Sequence, residues 1–326
     1  MNTNLLIALI SVATLGGAPF ARGDSPTVPP PSVTLAERTF ALSGARSREP
    51  QEYTLETRIV SFAPDGGRGV TDFYRLRLKC TPAAAGSSAG DTFTCLGFAV
   101  QFGSSIETDI PALKGMTYVF DLGPANERRD GPILGVPHEP FEKLIDATGR
   151  SVPPVNAYHL YNAFVDFHTF CSIFPHPMGD GAGIEDLPVV GRKILHASAF
   201  SGPSVNLGSS VADGSFFKNG EVTLEFKGLG VVGGAECALL GVDSGRSSFA
   251  MTVRPMPELE VKTTGSSHYK GDIYLNLATQ WVSRVDADET VVTETTLPMP
   301  PNKVNTVIER TILIQNVSAR PLKSVD

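Results

Sequence analysis

The middle of the chain, residues 154–175, reads PVNAYHLYNAFVDFHTFCSIFP. This segment is too long and too continuously apolar for an ordinary strand, whereas Asn156 can cap the start of a helix and Pro175 can stop it. When successive residues are placed about 100° apart, apolar side chains cover almost the whole circumference, which is typical of a buried helix. The segment therefore predicts a buried helix over about residues 156–173.

The same helix carries a narrow polar stripe, formed by His159, Asn162, Asp166 and Thr169. Because an unpaired polar group in a core costs about 1–3 kcal/mol, this stripe needs partners. Asn162 and Asp166 are one turn apart and can satisfy each other or the backbone of a sheet. If the protein binds an apolar ligand, the predicted contacts are Tyr161, Phe164, Asp166 and His168.

A metal site is the competing interpretation of this segment, with Asp166, His168 and His176 as ligands. Several ligands must converge on one metal ion at about 2 Å. On a helix Asp166 and His168 point in opposite directions and cannot chelate together, whereas on a strand they would share a face. We therefore interpret these polar residues as hydrogen-bonded groups of a buried core. We assign no catalytic residue, metal or cofactor. A metal-dependent hydrolase is the alternative.

Strand patterns of period two flank the helix on both sides. They are clearest in EYTLETRI (52–59), YRLRLKC (74–80), EVTLEFK (221–227), GDIYLNL (271–277), ETVVTETT (289–296) and VIERTILIQNV (307–317). Half-buried alternating strands at short spacing favour an antiparallel sheet. The outer face of the first strand carries Glu52 and Glu56, and that of the second carries Arg75, Arg77 and Lys79, so the acidic and the basic strand can pair on their solvent faces.

The predicted fold class is mainly β (α+β), with an antiparallel open sheet, half-barrel or sandwich packed around one or two central helices. HEPFEKLIDATGR, residues 138–150, predicts the second, shorter helix. This arrangement resembles the open half-barrels of bacterial lipoprotein carriers at the level of the fold. The predicted regions are 36–150 (β, ending in the short helix), 151–178 (aromatic helix) and 179–326 (β), as one large domain or two packed halves.

The first residues predict export. An apolar run, LLIALISVATL, occupies residues 5–15, and Ala21 and Gly23 suit the pockets of a signal peptidase that cleaves before Asp24. The interpretation is a signal peptide over 1–23, a Pro-rich tether over 24–35, and a periplasmic or extracellular mature chain. A net charge of −7 without a basic run disfavours nucleic acid as a partner. No second apolar run is long enough to span a membrane.

Four cysteines in an exported chain predict disulfides. Cys80 and Cys95 end and begin two strands joined by a small-residue loop, so we expect them to pair, which leaves Cys171 with Cys237 by elimination. The absence of a C-x-x-C spacing disfavours a structural zinc site.

No catalytic motif emerges from the sequence. GLGVVGG, residues 228–234, fits a dinucleotide-binding pattern. However, the strand before it alternates and too few residues follow for a crossover helix, so a glycine-rich turn or bulge is predicted. The leading hypothesis is an exported non-enzymatic β-rich protein that binds a small apolar ligand or an envelope protein.

Overall fold

The computed structural model describes residues 38–62, 65–84, 90–122, 132–177, 182–199, 201–203, 212, 214–256, 259–298 and 302–318. The predicted signal peptide and tether lie outside the described residues. The strands are β1 (Gln51–Phe62), β2 (Arg68–Thr81), β3 (Thr92–Gln101), β4 (Thr108–Asp109), β5 (Thr117–Val119), β6 (Lys193–Ala197), β7 (Ser201–Pro203), β8 (Phe216–Lys218), β9 (Val222–Val232), β10 (Ala235–Asp243), β11 (Ser248–Met256), β12 (Leu259–Asn276), β13 (Val282–Thr296) and β14 (Lys303–Asn316).

These described strands form one antiparallel sheet whose main path runs β4-β3-β2-β1-β14-β13-β12-β10-β9-β6. Strand β1 pairs with β14, so strands from both ends of the described chain meet in the middle of the sheet. The path begins and ends on different strands, and the sheet is therefore open. The predicted antiparallel open sheet is confirmed.

Helix α1, Pro154–His168, packs against this sheet and continues as a π-helical turn over Thr169–Ile173. The predicted helix over residues 156–173 is confirmed. Asn156 donates to the Tyr74 hydroxyl on β2 at 2.9 Å, and the Phe170 ring lies 6.4 Å from that of Tyr269 on β12. The helix thus runs across the strands. Among the described residues, no helix has the length and apolarity needed to cross a membrane.

One side of α1 packs into an aromatic core. The Phe164 ring stacks on Phe98 of β3 with centroids 5.9 Å apart, and the Phe167 ring meets Tyr53 of β1 edge-on at 5.0 Å. Phe164 and Phe98 are almost completely buried. This packing explains why so much of the helix circumference is apolar: the sheet covers one side, and the segment around Phe141 covers another.

The predicted charge pairing of β1 with β2 is confirmed. Glu52 lies opposite Lys79, and Glu56 opposite Arg75. The Arg75 guanidinium donates to Glu56 at 2.7 Å. Both side chains are partly exposed, so we assign this pair a role in strand register and little stability.

The second predicted helix is reduced to one 3₁₀ turn, Glu139–Phe141. Phe141 and Leu144 are buried as the pattern predicts, but Ile145 is 54% exposed. The Asp146 carboxylate accepts hydrogen bonds from the backbone N–H groups of Thr148 and Arg150. A side chain that caps a turn in this way competes with helix formation and ends the helix early.

The predicted disulfides are wrong, since all four cysteines are buried free thiols. Cys80 lies opposite Phe93, and Cys95 opposite Leu78, so the two cysteines are diagonal neighbours. Diagonal positions are about 7–8 Å apart, whereas a disulfide needs Cβ atoms about 3.5–4.5 Å apart. An irregularity in the β2–β3 pairing between Arg77 and Leu78 sets this register.

The second predicted disulfide joins residues that lie in different surroundings. Burial and the neighbouring Cys80 raise the pKa of the Cys171 thiol. Cys237 instead lies next to Ser283, with its Sγ 3.7 Å from the serine Oγ. The predicted Cys171–Cys237 disulfide is wrong because Cys171 lies beside Cys80 rather than Cys237.

The glycine-rich stretch contains both features of the predicted turn or bulge. Residues 228–232 belong to β9, whose pairing with β10 is irregular next to Gly228. Strands β9 and β10 form a hairpin around Gly233 and Gly234, whose φ angles are +56° and +83°. Two successive positive φ angles are the requirement of a type I′ turn, which explains the two glycines.

Candidate functional site

A cluster of buried charges joins the helix to the sheet. The Arg310 guanidinium of β14 donates through one nitrogen to Asp166 of α1 and through another to Glu289 of β13. The second nitrogen also donates to the Tyr269 hydroxyl at 2.7 Å. Asp166, Glu289 and Arg310 are each at most 5% exposed. Two carboxylates thus share one guanidinium inside the protein.

The sheet register places this cluster in one row. Tyr269 lies opposite Glu289, Glu289 opposite Arg310, and Arg310 opposite Ile59. Residues directly opposite each other in an antiparallel ladder share a face, and here that face is the inner one. Asp166 reaches the row from the predicted polar stripe of α1, so its partner is a charged side chain of the sheet rather than Asn162.

Burial dominates the electrostatics of Asp166. It raises the pKa of this carboxyl from 3.8 to about 6, against the opposing effect of Arg310. The charged form is therefore less favourable in the folded protein than in the unfolded chain. For His159, burial and the charge of Arg310 lower the pKa to about 3, so the imidazole is neutral.

We expect the contribution of Asp166 to the free energy of unfolding to fall as the pH rises from 4 to 7. The folded carboxyl, with a pKa of about 6, holds its proton more tightly than the unfolded one, at 3.8. The contribution of Asp166 to stability is therefore greatest below pH 4 and decreases by on the order of 3 kcal/mol as the pH rises through 6. Denaturant unfolding of the wild type and Asp166→Asn at several pH values measures this difference. Parallel pH curves for the two proteins would contradict it.

His168 lies on the opposite side of α1 in an aromatic cage. Its Nε2 is 2.8 Å from the Tyr118 hydroxyl and its Nδ1 is 3.2 Å from Ser172 Oγ. The Phe93 and Phe120 rings lie 4.6 and 4.9 Å from the imidazole. Burial lowers the pKa of His168 to about 3, so it is a weak base for activating Ser172.

The other predicted site residues are also enclosed. The Tyr161 hydroxyl donates to the Val136 carbonyl and accepts from the Ile133 N–H. Phe164 is fully buried in the aromatic core. His176 lies 3.5 Å from an Arg46 nitrogen, and burial and Arg46 lower its pKa to about 4.

The structure does not bring the metal candidates together. Asp166 binds Arg310, His168 faces Tyr118, and His176 contacts Arg46. Within the described ranges, no three His, Cys, Asp or Glu side chains form a group that could hold a metal ion.

Beyond the Tyr269–Glu289–Arg310 row, β11–β14 continue past the helix. Their inner positions, which we call the distal inner surface, carry apolar, hydroxyl or glycine residues. These are Phe249, Met251, Val253, Val261, Thr263, Gly265, Ser267, Val291, Thr293, Thr295, Val304, Thr306 and Ile308. The alternate, outer positions carry the charges, including Lys262, Glu294 and Lys303. Of this surface only Ile308 packs against the hydrophobic core.

Two grooves on the outer face of the sheet, with volumes of about 540 and 680 Å³, share Leu313 in their linings. Their charged residues largely neutralise one another. Lys227 binds Asp272 at 2.6 Å in the first groove, and Arg75 binds Glu56 at 2.7 Å in the second. The uncharged surface of the sheet is therefore on its inner side.

The sequence matches no protein-family model, and no curated protein matches it. Among solved structures, the outer membrane channel DcaP of Acinetobacter baumannii aligns with 84% of this chain and 99% of that chain. The identity is 8% and the TM-score 0.18. At that TM-score the alignment does not show a shared fold, so we infer function from the side chains of this chain alone.

Proposed function

We propose that this chain is an exported, non-enzymatic β-rich protein that binds an elongated apolar ligand on the distal inner surface. The observation that carries the proposal is the separation of charge on β12–β14 beyond the helix. Inner positions there are uncharged, whereas charged side chains such as Glu294, Lys303 and Glu309 are on the outer face. The contacts of Asp166 on α1 with β12 and β14 are to Tyr269 and Arg310, so we place the ligand on the inner positions beyond that row.

The dimensions suit a chain-like ligand. Strand β12 pairs with β13 without interruption from Lys262 to Tyr274, and β14 pairs with β13 from Lys303 to Gln315. Strands rise about 3.3 Å per residue, so the six residues from 303 to 308 provide roughly 20 Å of inner surface. The Phe249 ring lies over Gly265 on the neighbouring strand. A Cβ at Gly265 would come within 2.6 Å of this ring, so the glycine leaves room for it.

Among the four predicted ligand contacts, Asp166 is closest to this surface. It binds Arg310, which is two residues from Ile308 along the inner face of β14. Tyr161, Phe164 and His168 face the aromatic core, so a ligand would touch them only if α1 moved. We therefore place the ligand beyond Asp166, along β13 and β14.

The signal-peptide pattern of residues 1–23 supports export. Export would bring the chain to a compartment where apolar molecules need a carrier or a receptor. The enclosed, weakly basic His168 and the dispersed metal candidates favour binding over hydrolysis.

Val291→Glu should abolish uptake of an apolar fluorescent probe such as N-phenyl-1-naphthylamine. The substitution introduces a charge into the distal inner surface, and we expect the probe Kd to rise at least tenfold. Val292→Glu is the matched control, since Val292 is the next residue, faces outward and is 48% exposed. Fluorescence titration measures both, with melting temperatures to verify folding. Equal binding by the two variants, or no binding by the wild type, would refute the proposal.

A further inference from the structure

The distal inner surface ends at a polar wall. The wall consists of the Tyr269–Glu289–Arg310 row of the sheet and of Asp166, His159 and Asn162 on α1. Ser267, Val291 and Ile308 form the next row of the inner face, two residues from Tyr269, Glu289 and Arg310 respectively. The surface proposed to hold an apolar chain therefore directly adjoins a set of hydrogen-bonding groups.

The charge of this wall is unfavourable to an anion. Asp166 and Glu289 are two carboxylates and Arg310 is one guanidinium, so the ionised cluster carries one net negative charge. Both terminal nitrogens of Arg310 already donate to these carboxylates. In the described part of the chain, only Nε–H of the guanidinium remains unpaired. One N–H group cannot bind a ligand carboxylate in the usual bidentate way.

Two buried polar atoms of the wall lack partners. His159 Nδ1 and Arg310 Nε are buried without a hydrogen bond. Asn162 is half-buried, and its amide makes no hydrogen bond to the residues that the structure describes. Buried polar groups are normally satisfied by protein, water or ligand. These atoms include both donors and acceptors, which a hydroxyl, ester or amide group can match.

We propose that the ligand is an uncharged amphiphile, whose apolar chain lies on Val291 and Ile308 and whose hydroxyl, ester or amide head reaches Asn162 and His159. This inference rests on the proposed function and adds the chemical class of the ligand. A hydroxyl both donates and accepts, so it can satisfy the Asn162 amide and the imidazole together. A carboxylate head would instead face Asp166 and Glu289.

Competition against the bound naphthylamine probe tests the head group. The competitors are 1-decanol below its solubility limit, and decanoate and decyltrimethylammonium below their micellar concentrations, all at pH 8. We expect decanol to displace the probe at a concentration at least tenfold lower than either ion. Asn162→Leu should raise the concentration of decanol needed at least threefold and leave that of decanoate unchanged. Glu309→Gln, on the outer face next to Arg310, is the control and should change neither.

The outcomes separate the two proposals. If the probe binds and Val291→Glu abolishes its binding, but decanoate or the ammonium competes as well as decanol, the head-group inference is wrong and the binding surface stands. An unchanged response to decanol in Asn162→Leu likewise contradicts the inference. If the wild type binds neither probe nor decanol, both proposals fail.

Discussion

Arg310→Met should cost about 3–5 kcal/mol of unfolding free energy near pH 7, the range found when one partner of a buried ion pair is removed. Methionine fills much of the same space, so the effect comes mainly from charge. Without the guanidinium, Asp166 and Glu289 face each other across a buried site, each at most 5% exposed. Chemical denaturation measures the loss.

Neutralising the carboxylates should rescue this variant. In the triple variant Arg310→Met, Asp166→Asn, Glu289→Gln, the buried charges are gone, and we expect at least half of the lost stability to return. Arg284→Met is the matched control, because Arg284 binds Asp286 at 2.6 Å but both side chains are about 40% exposed. It should change stability by about 1 kcal/mol or less. Equal losses in the two single variants would contradict the importance of the buried cluster.

Phe164→Ala should destabilise the protein by about 3–5 kcal/mol, because it empties a fully buried aromatic site. The Phe164 ring contacts Phe98, Tyr118 and Phe141, which belong to three different segments. Its removal therefore weakens the attachment of α1 to the sheet on one side and to the covering segment on the other. Thermal or denaturant unfolding measures the change.

Phe216→Ala provides the comparison for the aromatic core. Phe216 is 42% exposed on β8, so its truncation should fall within about 0.5 kcal/mol of the wild type. A loss below about 1.5 kcal/mol for Phe164→Ala, or a similar loss for both variants, would show that the aromatic core does not hold the helix.

The buried charged cluster is only partly predicted from the sequence. Asp166 was identified from the polar stripe of a buried helix, but Glu289 and Arg310 were not. A signal for both was present, because Arg310 has the parity of Ile308 and Ile312, and Glu289 that of Val291. A charge at an inward position of an alternating strand needs a buried partner. Two opposite charges at inward positions of successive strands therefore predict a buried ion pair.

Local patterns alone determined the buried helix, the alternating strands with their acidic and basic outer faces, and the turn at Gly233. Each depends on residues close in sequence or on periodicities of 2 and 3.6, which follow from backbone geometry. The free thiols and the partner of Asp166 were decided only by tertiary structure. An irregularity in the β2–β3 pairing sets the position of Cys95 relative to Cys80, and the crossing of α1 over β14 brings Asp166 to Arg310, 144 residues away. Such contacts depend on strand register and helix orientation, because a shift of one residue reverses the face on which every side chain lies.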